Sequence, residues 1–512
     1  MSSAASPSSG TSARPKRPLG TRLRGISCAT GSTGWRVPEL DEICFLSVAA
    51  LGRHYAAGDL SPTDVAERHL ARLEALEPAL NAFQVVDREG ALRAAQEASG
   101  RWRQGAARGP LDGVPITIKD NVDMKGWPTR NGSTTSSATP AAEDAPVVAR
   151  LREAGAVFLG KTTTPEFAWK GITDSRLRGV THNPWALDRS SGGSSGGAAA
   201  ALAAGIGTIA HGNDAGGSIR IPASFCGVFG LKPTFGRVPH HPVEGVFATL
   251  NAGGPLARHV ADAALALQIM ARPDHRDWYT LPQPAEKWLV ELRPRLHGLR
   301  LAYARNLGGI EPDEEIHTCL EQVISRLRDA GAHVEEVGPV IQPLQPVFQD
   351  FWMSGFAHLL RDVPRERWEE LDPGFREIAE SGLDISAERL LAGDAARAGL
   401  HRRFAELYQR YDLLLTPTAP HVAPRIGTVY HSTTYDRWRD GVPYTLPFNL
   451  TGQPAAAIPC GVSETGLPIG LQVAGPKYSE RLILEACLAI EAMHQQKVPH
   501  PHLLAELEKL GQ

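Results

Sequence analysis

Residues 189–233 read RSSGGSSGGAAAALAAGIGTIAHGNDAGGSIRIPASFCGVFGLKP, and this stretch decides the fold. Glycines cluster at 192–197 and again at 216–218, on either side of an Ala-rich run whose composition predicts a helix. Gly lowers stability inside regular structure, whereas Ala is the best helix former. Clustering Gly on both sides of such a helix marks backbone with a special task. Either it adopts φ/ψ values closed to other residues, or it leaves N–H groups bare for a ligand. Ser194, Ser195 and Ser218 are the reactive side chains within the two clusters, which makes this stretch the candidate site.

The flanking sequence alternates strand and helix. Residues 113–119 (GVPITIK) predict a short β-rich strand that ends on Lys119, and 156–159 (AVFL) a buried strand after a helix carrying Val147, Val148 and Leu151. Earlier, Ser61-Pro62 supplies an N-cap and a Pro at the first helical position, with Asp64 where a capping-box acid belongs. Ala66, Leu70, Leu73 and Leu76 then give one buried stripe. Later strands are expected at 299–304, 332–337 and 411–416, and helices at 261–270 and over Ile316, Leu320, Val323 and Leu327. Residues 445–475 read as strand, turn at Thr465-Gly466, and strand, before a closing helix from Ser479 that carries Ile483, Cys487 and Ile490. Such alternation predicts an α/β sheet covered on both faces. Residues 342–440 read instead as helical and irregular, rich in aromatics (Phe351, Trp352, Phe356, Trp368, Trp438).

One motif misleads. Residues 155–162 (GAVFLGKT) match the G-x-x-x-x-G-K-[ST] pattern of a phosphate-binding loop. That loop must be flexible, with inward N–H groups and a helix beyond it. Here its middle residues are the apolar strand itself, and Pro165 stands where the helix would run. The pattern is read as a strand.

Charge and cysteine usage narrow the function. With 53 basic and 56 acidic residues the chain is nearly balanced, which excludes a general polyanion or nucleic-acid binder. Six scattered cysteines with no C-x-x-C pair suit free thiols in a reducing compartment, so a cytoplasmic location is expected. No apolar run is long enough to span a bilayer. Residues 1–38 are expected to be a disordered basic tail, Ser- and Gly-rich, with Arg14, Lys16, Arg17, Arg22, Arg24 and Arg36 and no acid up to residue 36. Residues 39–512 are expected to form one catalytic domain, without internal repeat or clear break.

A serine hydroxyl needs an adjacent base to act as a nucleophile at neutral pH. His182, His211, His240 and His241 lie near the core stretch, but none sits in a G-x-S-x-G elbow or an H-E-x-x-H pattern. They are read as ordinary polar histidines. Lys119 is the other candidate, because burial at the end of an apolar strand lowers a lysine pKa. Asp120 follows it directly, so spacing alone favours an ordinary paired lysine over a catalytic one.

GGSSGG at 192–197 and GNDAGGSIRIPASFCGVFGLKPT at 212–234 resemble the signature of the amidase signature family. GPLDGVPITIKDN at 109–121 resembles its lysine-bearing strand; PFNLTGQPAAAIPCG at 447–461 and GLPIGLQVAG at 466–475 resemble its C-terminal core. The similarity runs from about Leu46 to Met493 and is weakest at about 274–440. It implies a single large α/β domain with a central mixed β-sheet and helices on both faces.

By the same resemblance Ser218 matches the nucleophile and Lys119 the base. Ser194, after a cis peptide bond from Gly193, matches the bridging serine. The N–H groups of Ala215, Gly216, Gly217 and Ser218 would face the oxyanion, with Asp214, Arg220 and Ser195 in support. Asn213-Asp214-Ala215 departs from the family, where many members have Thr or Ser beside the Asp. Residues 168–173 resemble a pocket-lining stretch, which makes Trp169 and Thr173 candidate substrate contacts, and the aromatic region at 342–440 is expected to shape the substrate pocket. No metal or organic cofactor is implied. The expected substrate is a small-molecule amide or carbamate, cleaved through a serine acyl-enzyme by a monomer or homodimer. The alternative is the glutaminase (A) subunit of a tRNA amidotransferase, which needs partner chains.

Overall fold

A computed structural model describes residues 42–242, 249–284, 291–308, 311–342, 345–427 and 443–494. The basic tail and Trp438 lie outside the described residues. In chain order the strands are β1 (Phe83–Val86), β2 (Pro115–Lys119) and β3 (Val157–Thr162). Two short ribbons follow, β4 (Asp174–Ser175) with β5 (Gly179–Val180), and β6 (His182–Asn183) with β7 (Ala186–Ser190). Then come β8 (Ile209–Asp214), β9 (Phe229–Lys232), β10 (Ala252–Ala257), β11 (Arg300–Tyr303) and β12 (His333–Glu336). β13 (Leu413–Pro417), β14 (Ala455–Val462) and β15 (Pro468–Ala474) complete the set.

Eleven strands make one sheet in the order β1-β3-β2-β8-β10-β9-β14-β15-β13-β11-β12. It is mixed: β3-β2-β8 and β13-β11-β12 pair in parallel, the other neighbours antiparallel. Successive side chains of a strand point to opposite faces. Ile116, Ile118, Phe158, Ile209, Leu413, Leu415, Leu471 and Val473 accordingly share one core. Helices Val48–Ala57, Pro146–Glu153, Val260–Met270, Glu314–Asp329 and Glu480–Met493 contribute to it. Side chains one residue along these strands face the other way. Val157, Leu159, Ala210 and Ala457 pack with helices Pro62–Leu80 and Gly196–Ala203, whereas Ala302, Leu414 and Ala474 pack with the aromatic helices of the 342–440 region. The sheet is covered on both faces, as the strand–helix alternation predicts.

The local signals explain most boundaries. Helix Pro62–Leu80 starts on a complete capping box between Ser61 and Asp64. The aromatic region supplies helices Gln345–Leu360, Pro373–Ser381 and Ala387–Arg410. Two readings change. Leu446–Leu450 is a short helix, not the start of a strand, because Pro447 suits a first helical turn and Gly452, at φ +68°, turns the chain into β14. β3 also extends past the expected 156–159 through Gly160-Lys161-Thr162, with a bulge at Leu159 against β2, so the end of the phosphate-loop pattern is strand as well. Lys161 is buried with its Nζ 2.9 Å from Asp120 Oδ1, and it also donates to Pro128 O (2.8 Å). Among the described residues no helix is long and apolar enough to cross a membrane.

Candidate active site

β2 lies between β3 and β8 with all five residues buried, and its last residue is Lys119. Lys119 Nζ lies 2.7 Å from Ser194 Oγ. Burial pushes the amine down from 10.5 to about 7, against a smaller opposing pull from the Asp214 carboxylate. Asp120 does not pair with it; its carboxylate is taken by Lys161. The choice that the sequence leaves open is thereby made in favour of a desolvated lysine on a hydroxyl.

Ser194 is held by its neighbours' backbone. The Gly193–Ser194 peptide bond is cis. Gly193 lies so close to the next segment that a Cβ there would sit 2.7 Å from the Ile172 carbonyl carbon. Thr173 is buried; its hydroxyl donates to Gly192 O (2.8 Å) and accepts from Gly196 N (3.1 Å), bracketing Ser194 from both sides. The expected substrate contact at Thr173 is therefore corrected: it does not line the cleft that holds Lys119 and Ser218, and its hydroxyl supports the serine loop. Ser195 donates its N–H to Ser218 O (3.1 Å) and its hydroxyl to Asn213 O (3.3 Å), tying the two glycine clusters together.

Ser218 follows β8 in the loop before helix Arg220–Cys226. It is 8% exposed, against 1% for Ser194 and 0% for Ser195, so it is the most accessible of the three. Its hydroxyl makes no hydrogen bond among the described residues. The Asp214 carboxylate shapes the loop by accepting from Gly217 N (2.7 Å) and Ile219 N (3.1 Å). This corrects the four-donor expectation. Gly217 N–H points at Asp214, whereas those of Ala215, Gly216 and Ser218 have no acceptor among the described residues. Gly217 has φ +132°, and a Cβ there would meet Thr445 Oγ1 at 2.4 Å, so only Gly fits the turn.

Arg220 is fully buried with all five donors engaged. Nε and Nη2 bond the Asp214 carboxylate (2.9 and 2.8 Å), and Nη2 also reaches Asn449 Oδ1 (2.6 Å). Nη1 bonds Thr445 O (2.9 Å) and Gln472 Oε1 (2.8 Å). Burial alone raises a carboxyl pKa, but Arg220 outweighs it and holds Asp214 down at about 2. The expected supporting role of Asp214 and Arg220 has this geometry. Asn449 and Gln472 are site residues that the sequence reading misses, yet a signal exists. Each is one polar side chain inside an apolar run, LPFNL and IGLQVAG, where burial demands a partner.

Lys119, Ser194 and Ser218 line one cleft, together with Ala215, Phe167, Trp352 and Leu359. Trp169 does not line it: it packs in the aromatic core, where its carbonyl accepts from Trp352 Nε1 (3.2 Å). That expectation is corrected too, because Phe167 and Ala168 turn through positive φ and present themselves in its place. Trp352 comes from the aromatic region assigned to the pocket. The lining also includes the polar side chains of His211, Asn213, His240, His241, Asn121 and Asn131. The three histidines read as ordinary polar residues line the cleft, and spacing alone does not reveal that His211 reaches it from β8.

A model of the amidase family matches residues 64–484. The chain is 36% identical over 461 residues to an acylamidase of Rhodococcus erythropolis, covering 88% of this chain and 95% of that protein. It is 36% identical over 490 residues to the glutamyl-tRNA(Gln) amidotransferase (A) subunit of Chloroflexus aggregans, covering 91% and 99%. Among solved structures, that of 6-aminohexanoate cyclic dimer hydrolase superposes with a TM-score of 0.83 at 28% identity, covering 90% of this chain and 99% of that one.

Proposed function

This chain belongs to the amidase signature family and is an amide hydrolase, and we propose that it works through a serine acyl-enzyme on small neutral or aryl amides and carbamates. The observation that carries the reading is the buried Lys119 Nζ at 2.7 Å from Ser194 Oγ, in a cleft shared with Ser218. A lysine brought to about 7 is substantially neutral at physiological pH and can accept a proton.

Ser218 Oγ attacks the carbonyl carbon as its proton passes to Ser194 Oγ, whose own proton passes to Lys119 Nζ. The N–H groups of Ala215, Gly216 and Ser218 face the developing oxyanion, and one such donor contributes about 3 kcal/mol. Lys119 then returns its proton through Ser194 to the departing nitrogen, and the C–N bond breaks. Water hydrolyses the Ser218 ester by the same relay, releasing acid and regenerating the hydroxyl. Asp214 and Arg220 take no proton; they hold the loop that aims the donors.

Phe167, Trp352 and Leu359 give the cleft an apolar wall that favours aryl or alkyl substituents. A carbamate differs only in the atom flanking the carbonyl, so the same relay serves urethanes. The second reading, favoured by the similarity to the Chloroflexus protein, is glutamine hydrolysis on behalf of partner chains. The test is a panel of amide, carbamate and ester of one chromogenic amine or alcohol, with glutamine as the other arm. Turnover of the panel by the isolated chain, lost in Ser218→Ala, supports the amidase reading. Ammonia release from glutamine with an idle panel favours the amidotransferase reading.

A further inference from the structure

The lining of the cleft contains hydrogen-bonding groups that nothing among the described residues uses. Asn213 is only 4% exposed, and neither its Oδ1 nor its Nδ2 has a partner among the described residues. His211, two residues earlier on β8 and 2% exposed, has an unpartnered Nδ1. Strand periodicity puts the two side chains on the same face, and both line the cleft that holds Lys119 and Ser218. The intervening Gly212 faces the other way, where a Cβ would meet Leu256 and Ser195. On the neighbouring strand Gly253 leaves room for the imidazole, since a Cβ there would lie 3.0 Å from His211 Nε2. Buried polar side chains nearly always find partners, and two bare ones side by side in a substrate cleft have theirs in the ligand.

We propose that Asn213 and His211 are specificity-determining residues that hydrogen-bond a second, neutral amide-like group of the substrate, a carboxamide, urea or carbamate N–C=O edge near the scissile bond. The proposal rests on the serine-amidase reading of this cleft. A carboxamide side chain offers an acceptor and two donors in one plane, the complement of another amide edge. Burial and the nearby Lys119 push His211 down to about 3, so its ring stays neutral and adds one donor and one acceptor. A neutral pair of this kind pairs with a neutral group. It offers no counter-charge to offset the desolvation of a carboxylate or an ammonium.

Three 4-nitroanilides of matched size test this: 4-methylpentanoyl, succinamoyl (terminal carboxamide) and succinyl (terminal carboxylate). A second pair carries the carboxamide on the amine side, acetylated 4-aminobenzamide against acetylated 4-methylaniline. In one set at least, the wild-type enzyme should favour the carboxamide over its apolar match by about tenfold or more in kcat/KM, chiefly through KM. Asn213→Leu keeps the bulk and removes both polar atoms. It should bring that ratio near one with a Tm equal to or above wild type, because no internal hydrogen bond is lost. Asn213→Ala and His211→Leu should lower the ratio in the same direction. A wild-type ratio near one in both sets, or a ratio that survives all three substitutions, overturns the proposal. So does a lower Tm in Asn213→Leu with the ratio intact, which marks Asn213 as structural. Turnover persisting in Ser218→Ala contradicts the serine reading itself and is a separate result.

Discussion

Replacing Lys119 with Met should make the protein more stable as it makes it inactive. The side chain is fully buried, and burial brings its pKa from 10.5 to about 7. Below about pH 7 the lysine is protonated in both folded and unfolded chains, and the folded state bears the whole cost of enclosing the charge. At 1.36 kcal/mol per pKa unit that cost is roughly 5 kcal/mol. Between about 7 and 10.5 only the unfolded chain holds the proton, so wild-type stability rises with pH, and above 10.5 this cost is gone. Met has similar length and no charge. Lys119→Met should therefore exceed wild type by up to roughly 5 kcal/mol near pH 6, less about 1 kcal/mol for the lost bond to Ser194. The gap should close by about 1.4 kcal/mol per pH unit on going alkaline. Urea unfolding of both proteins near pH 6, 8 and 9.5 measures it, and amide turnover should fall at least about a hundredfold in parallel. A variant less stable than wild type near pH 6, or a gap that does not narrow with pH, refutes the idea of a desolvated amine.

The same amine sets a pH profile: kcat/KM should rise through an apparent pKa near 7 to a plateau, since only neutral Lys119 accepts a proton; a flat profile across that range contradicts the assignment. Asp214→Asn leaves the buried Arg220 without its counter-charge and should cost about 3–5 kcal/mol in urea unfolding, with loss of activity. Gly217→Ala drives a methyl toward Thr445 Oγ1 at 2.4 Å and asks Ala for φ +132°, so activity should collapse even in the fraction that folds, as circular dichroism beside turnover will show. Thr173→Val removes the hydroxyl bracketing Ser194 and should lower kcat and stability by about 1–3 kcal/mol without changing substrate preference, the reverse of what a pocket residue does.

The sheet is legible because its strands are short apolar runs with turn residues between them, and helix Pro62–Leu80 because Ser61 and Asp64 form a capping box that sequence displays directly. Lys119 and the three serines stand out because glycine clusters and a lysine at a strand end are costly unless used. What stays hidden depends on partners far along the chain. Arg220 meets Asn449 and Gln472 across more than two hundred residues, and no local pattern forecasts that grip. Trp169 and Thr173 lie in the right segment but point into protein, because positive φ at Phe167 and Ala168 exchanges which residues face the cleft. That Asp214 engages the Gly217 N–H stays hidden for a similar reason: a backbone N–H has no sequence signature for its direction.

The central claim is that Ser218 is the nucleophile, activated through Ser194 by neutral Lys119. A serine-directed phosphonofluoridate followed by intact-mass and peptide analysis tests it most directly. The expected result is a single adduct on the peptide spanning Ser218, forming faster as pH rises through about 7, and absent from Ser218→Ala. An adduct on Ser194 or Ser195, or labelling that persists in Ser218→Ala, contradicts it.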